Sequence, residues 1–217
     1  MAGLAAPVGS TRGARAMVAT ADQIASQAGM AAFHHGGNAV DAAIAASAAV
    51  AVTSPHLCGM GGDLFVLVHT GRSVVALNAS GRAGSGANAA ALRAAGRTEM
   101  PFRHDIRSVT VPGCVDGWLS LHERFGSIPL ADVLAPAIRI AEHGFPASPL
   151  LVGSLATVDD AARANLHEIA SQAGQLGALV HRPGVGRTLR AIATSGRTGF
   201  YGGEFAAGLL DLGRGYF

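Results

Sequence analysis

Aromatic residues make up only 5% of this 217-residue sequence and charged residues only 14%, and there are two cysteines and a single tryptophan. The scarcity of rings argues against a core built on large aromatic side chains. The 30 glycines and abundant alanines point instead to closely approaching helices joined by tight turns. So little charge beside 49% hydrophobic residues excludes a disordered chain and leaves apolar material for one sizeable core. The net charge of +2 comes without any run of Lys or Arg, so nucleic acid is not an expected partner. Cys58 and Cys114 cannot define a disulfide framework, and neither belongs to a CxxC or CxxxxH pattern, so both read as reduced thiols. The nine histidines include the adjacent His34-His35 but no HxH or HExxH, and no metal is expected. Gly59-Met60-Gly61-Gly62 lacks both the GxGxxG and the GxxxxGK[ST] spacing and precedes a strand, so it reads as a tight turn rather than a phosphate cradle. No cofactor is expected.

Targeting signals are missing as well. Residues 1–16 hold Arg12 and Arg15 but no apolar stretch of about 7 to 15 residues, so no secretory signal is expected. They read as a flexible N-terminal segment, and the expected location is cytoplasmic, with a periplasmic or secreted protein as the alternative if the start is misassigned. The apolar run over 42–52 falls short of the about 18 residues that a membrane span needs, and Asp41 and Ser47 interrupt its surroundings. A buried helix, with no membrane partner, is the expectation. No fixed-period repeat and no linker divides residues 17–217, which read as one domain.

What is present is organised around Gly36-Gly37-Asn38-Ala39-Val40-Asp41-Ala42-Ala43. The paired glycines can end a helix through positive φ. Asn38 then fits an N-cap whose side-chain oxygen takes a free backbone N–H, and Asp41 adds a carboxylate near the positive end of the new helix. The spacing predicts a half-buried helix over 22–34 and a second, almost wholly apolar helix over 39–52, which should lie between layers. Residues 64–69 and 73–78 are β-rich runs separated by Thr70-Gly71-Arg72 and predict a hairpin. A polar loop over 80–86, a short surface helix over 89–95 and a mobile stretch over 96–105 follow, then a strand over 108–111 stopped by Pro112-Gly113. Helices are predicted over 114–125, with Trp118 filling the core, and over 130–143, where Pro136 suggests a kink or two abutting helices. A solvent-facing helical region is expected over 150–172, with shorter helices over 186–195 and 204–212.

Five blocks carry a family resemblance in order along the chain: Gly36 to Ala43 with Ser26-Gln27-Ala28-Gly29 before it, Thr53 to Asp63, Ser108 to Gly113, Pro136 to Phe145, and Phe200-Tyr201-Gly202-Gly203-Glu204. Together they resemble the large subunit of the γ-glutamyltranspeptidase family. The resemblance implies an α+β fold of the N-terminal-nucleophile hydrolase type, a four-layer αββα sandwich with two stacked antiparallel sheets between helical layers, incomplete in this chain. In that family the nucleophile is a threonine at the start of a small subunit released from the same precursor, in a Thr-[Thr/Ser]-His context. None of the ten threonines here has those neighbours, so no catalytic residue is assigned to this chain. Because the last block resembles the middle of the large subunit, the chain is expected to stop short of the nucleophile and to be inactive alone.

The resemblance also implies a substrate site. Relatives place an arginine in a Leu-Asp-x-Arg-Glu-x-Ala-Pro context, where its planar guanidinium can pair with the substrate carboxylate bidentately. Here the run is Leu77-Asn78-Ala79-Ser80-Gly81-Arg82-Ala83-Gly84. Ser80 stands at the arginine position and Arg82 follows two residues later. In an extended backbone Arg82 would keep the same facing, shifted by about 6 to 7 Å. Arg82 and Ser80 are therefore the candidate substrate-binding residues. Arg82 also admits a plainer reading as a solvated surface charge. A second candidate, Cys58 beside His56, offers a thiol near a base, against which stands the ordinary role of cysteine as a small buried hydrophobe.

The expected function is the large-subunit share of an enzyme that cleaves γ-glutamyl amides, glutathione among them, through an acyl-enzyme, and passes the acyl group to water or an amine. Its expected partners are that small-molecule amide and the small subunit. One alternative keeps the machinery and changes the substrate to an oxamate-like acid amide or a β-lactam side-chain amide, which the Ser80 and Arg82 arrangement favours. The other is a non-catalytic fragment or binding protein that keeps the fold without the nucleophile.

Overall fold

The computed structural model describes residues 11–101 and 105–217. The flexible segment expected over 1–16 lies outside the described residues for 1–10, as do residues 102–104 of the stretch expected to be mobile.

Helix α1 (Gln23–His34) begins where the Asp22 carboxylate accepts the Ile24 N–H, and Gly36 leaves it at φ 86°. Helix α2 (Ala39–Thr53) opens on a full capping box. The Asn38 side chain accepts from the N–H groups of Val40 and Asp41, and the Asp41 carboxylate accepts the Asn38 N–H at 2.9 Å. Asp41 is completely buried and also takes the hydroxyl of Ser127 at 2.6 Å, while the Asn38 amide donates to the Phe125 carbonyl. One local motif thus starts α2 and ties it to the far end of another helix. The alanines of α2 let its neighbours close in around it, and ten of its fifteen residues are buried.

Strands β1 (Leu64–His69) and β2 (Val74–Ala79) form the expected antiparallel hairpin, with Leu64 opposite Ala79 and His69 opposite Val74. Leu64, Val66, Val68 and Leu77 pack towards the core. The alternate residues Phe65, Leu67 and Val74 are 64%, 75% and 61% exposed, so the hairpin is apolar on both faces and covered on one. After a short helix α3 (Ala89–Ala94), the strand expected over 108–111 does not form. Residues Ile106–Ser108 make a single 3₁₀ turn closed by the Val109 N–H, and beyond it the Val111 N–H donates to the Arg82 carbonyl without a ladder forming, since Pro112 has no donor to extend one.

Helices α4 (Cys114–Phe125) and α5 (Leu130–His143) have the expected bounds. Pro136 lies inside α5 without dividing it, held among buried Val133, Leu134 and Ala137. The solvent-facing region resolves into three short helices, α6 (Pro149–Ala156), α7 (Asp160–Asn165) and α8 (His167–Ala170), of which Leu151, Leu155 and Ile169 are buried. A two-residue pair, β3 (Phe145–Pro146) with β4 (Leu179–Val180), was not foreseen, since two residues leave no periodicity to read. Helix α9 (Pro183–Tyr201) is longer than expected and is broken at Gly196, and α10 (Glu204–Gly213) ends the described fold.

The core lies between α2, α4, α5 and α9 and is filled by Ile44, Trp118, Leu134, Leu189, Ile192 and Phe200. Trp118 is the core residue expected, and its indole N–H donates to the Ser47 hydroxyl on α2. Among the described residues the sandwich is therefore present in part, as a helical layer carrying one hairpin and a second, minimal strand pair.

Candidate functional site

Where the hairpin ends, the chain turns through Ser80, Gly81 and Arg82 and passes the start of α4, and a cavity of about 580 Å³ opens there. Its wall combines Asn78, Ser80 and Arg82 with Pro112, Asp116 and Tyr201. Both candidate residues read from the sequence stand in it. Arg82 is exposed at its rim, and Ser80 is half-buried with its N–H held by the Asn78 side chain at 3.0 Å.

The backbone between them corrects the extended arrangement expected. Gly81 adopts φ 81°, a left-handed conformation that takes Arg82 out of the strand direction of Asn78 and Ser80. Two contacts to its carbonyls then hold the loop. The Arg82 carbonyl accepts the Val111 N–H at 2.8 Å, and the Ser80 carbonyl accepts the Thr110 hydroxyl at 3.2 Å. Thr110 thus spends its hydroxyl on the loop.

The opposite wall is the first turn of α4, which has no side-chain N-cap. Its free donors are met by other means. The Gly62 carbonyl accepts from both Gly113 and Cys114, each at 3.0 Å, and the Tyr201 hydroxyl accepts from Asp116 at 3.1 Å. The turn over Gly59 to Gly62 accordingly offers a carbonyl to a helix start, as a structural turn does. Burial raises the Tyr201 hydroxyl above its ordinary pKa. Asp116 is bound in turn by Arg197 of α9, which also reaches Ser120 and Glu123.

Arg82, Ser80 and their neighbours could hold a small anion. The guanidinium of Arg82 has no acidic partner among the described ion pairs, and the Ser80 hydroxyl and Asn78 amide add neutral donors around it. Tyr201 and Asp116 escaped the sequence reading. Tyr201 sits in a recognised block and Asp116 just beyond one, but nothing in the chain says that residues 85 positions apart meet through a hydroxyl.

The second candidate does not assemble. Cys58 is exposed and its thiol is pushed up by burial of its surroundings, the reverse of an activated nucleophile. The ring nitrogens of His56 find no hydrogen-bond partner among the described residues, so no thiol and imidazole pair forms. Cys114 is buried and pushed up to about 12, by desolvation first and the neighbouring Cys58 and Asp63 next. Among the described residues there is no group of three His, Cys, Asp or Glu that could hold a metal ion, and no helix long and apolar enough to cross a membrane.

Comparison with known proteins extends the picture beyond the cavity. The sequence is 35% identical over 215 residues to a glutathione hydrolase-like proenzyme of Bacillus subtilis, covering 93% of this chain and 39% of that one. It is 34% identical to an oxamate amidohydrolase proenzyme of Klebsiella pneumoniae, covering 90% of this chain and again 39% of the relative. The chain thus spans well under half the length of these relatives. Its fold matches the crystal structure of a cephalosporin acylase from Bacillus halodurans with a TM-score of 0.83 at 35% identity, covering 98% of this chain and 43% of the acylase. It also matches the γ-glutamyltranspeptidase of Helicobacter pylori with a TM-score of 0.77 at 26% identity, covering 96% of this chain and 62% of that one. Since the pattern of the γ-glutamyltranspeptidase family matches residues 25–212, nearly the whole of the described fold, this chain belongs to that family.

Proposed function

We propose that this chain is the large-subunit part of an amidase that cleaves a γ-glutamyl amide and passes the acyl group to water or an amine. The observation that carries the reading is the placement of Arg82 and Ser80 in one open cavity at the end of the hairpin. Arg82 would take the substrate carboxylate through two parallel N–H donors, with the Ser80 hydroxyl as a third. That grip fixes the distance from the acid group to the amide carbonyl, so that the carbonyl meets an attacking hydroxyl in a near-attack geometry.

The attacking group belongs to a small subunit from the same precursor. Its N-terminal threonine oxygen bonds to the carbonyl carbon while its own α-amino group takes the proton. The C–N bond then breaks and the amine leaves with that proton. Water or an amine releases the acyl group in the second step. On this reading the chain alone binds but does not turn over substrate. The uncovered face bearing Phe65, Leu67 and Val74 supports it, because a second sheet laid on those side chains would complete the sandwich beside the cavity.

A second reading changes only the acid. Arg82 stands two positions beyond the family's arginine and past the left-handed turn at Gly81, which suits a shorter substrate such as oxamate, the compound named for one relative. Assaying the complete precursor against a γ-glutamyl anilide and against oxamate separates the two. In either case Arg82→Ala is expected to raise KM by about 10- to 100-fold through loss of a charge-assisted pair. An unchanged KM would remove Arg82 from the pocket.

A further inference from the structure

The geometry points to Tyr201 as a positioning residue whose hydroxyl sets the shape of the Arg82 pocket by fixing the Pro112–Gly113 backbone against the Ala79–Gly81 backbone. The inference rests on the reading of the cavity as the pocket for the substrate's acid group.

The chain of contacts has three links. The Tyr201 hydroxyl donates to the Pro112 carbonyl at 2.7 Å and accepts the Asp116 N–H at 3.1 Å, so a single oxygen bridges the segment leading into α4 and the first turn of the helix. The peptide that follows Pro112 lies directly on the loop. A Cβ on Gly113 would stand 2.1 Å from the Ala79 carbonyl oxygen and 2.6 Å from the Gly81 nitrogen, and only glycine permits that approach. On the other side of Pro112, the Val111 N–H holds the Arg82 carbonyl at 2.8 Å. Residues 111–113 thus touch the loop both before and after Ser80, and whatever moves Pro112 moves Ser80 and Arg82.

Tyr201 is itself held from behind. Its neighbour Phe200 is fully buried and stacks on Phe205 with ring centroids 4.2 Å apart. One turn earlier, Arg197 grips Asp116, Ser120 and Glu123 along α4. The end of α9 is therefore fixed to α4 without the hydroxyl. The hydroxyl is left with the separate task of aligning the loop before the helix, because phenylalanine would keep the ring packing and lose both hydrogen bonds.

The test uses the complete enzyme and its preferred substrate. Tyr201→Phe is expected to process normally and to raise KM by about five- to tenfold with kcat within about twofold, the loss of its two hydrogen bonds expressed in part as binding. In an Arg82→Ala background the same substitution is expected to raise KM by no more than about twofold, since only Ser80 is left to position. A KM equal to that of the parent enzyme, a fall in kcat alone, or the same KM increase in the Arg82→Ala background would each overturn the assignment of Tyr201. If Arg82→Ala alone leaves KM untouched, the reading of the cavity fails first and the role of Tyr201 falls with it.

Discussion

The helical part and the hairpin part of this molecule are finished to different degrees. Around α2 most groups have their partners: Asp41 and Asn38 satisfy one another and reach across to Ser127 and Phe125, Trp118 donates to Ser47, and most of the apolar side chains are buried. At the hairpin, one apolar face packs inward and the other, with Phe65 and Leu67, meets solvent. The loop bearing Arg82 is held through its backbone groups, by the Val111 N–H and by the side chains of Thr110 and Asn78. The difference separates a scaffold that closes on itself from a hairpin left apolar on its outer face. On the proposed reading, rigidity comes from the first region and substrate binding from the seam between the two.

The largest effect expected concerns the closed region. Trp118 is 1% exposed, and its removal takes away a large buried ring and leaves the Ser47 hydroxyl without its indole donor. Trp118→Ala should lower stability by about 3–5 kcal/mol in urea unfolding. A loss below about 1 kcal/mol would mean that the core around α2 tolerates a void and is no more finished than the hairpin.

A smaller effect is expected at the seam. Gly113→Ala forces a methyl into the Ala79 carbonyl, so α4 or the loop must yield, at about 1–3 kcal/mol. Gly59→Ala is the control, since no atom lies within 4 Å of the added methyl. Equal unfolding midpoints for the two variants would show that the loop moves freely away from α4, and the two regions would then be coupled less closely than the contacts imply.

This contrast also explains what the sequence made legible. The N-cap at Asn38 was readable because the N–H groups it takes lie two and three residues on, whereas Ser127, 86 residues from Asp41, left no local sign. The bounds of α4 followed from Pro112-Gly113 before it and Gly126 after it, punctuation that acts on its own residues. The strand expected over 108–111 failed because β propensity needs a neighbouring strand, and these residues meet only a loop. At the site, Ser80 and Arg82 came from the family resemblance. The turn at Gly81 was hidden, because a glycine in a polar loop permits positive φ without requiring it.

The smallest effect tests whether the closed region extends to its surface. Glu142 of α5 and Arg190 of α9 form a bidentate pair at 2.5 and 2.6 Å, and hydrogen bonding to Arg190 holds the Glu142 carboxyl below its ordinary value of 4.5. A carboxyl with a depressed folded-state pKa contributes stability above its unfolded pKa. That contribution is lost as pH falls below about 4.5 and through the folded value. Because Arg190 is 61% exposed, solvent screens the pair and the contribution is small. Urea midpoints measured from pH 6 down to about pH 3 should therefore fall slightly less steeply for Glu142→Gln than for the parent chain. Identical profiles would place the boundary of the well-determined region at the buried side chains of α5 and α9, leaving their surface charges as ornaments of a contact that apolar packing already fixes.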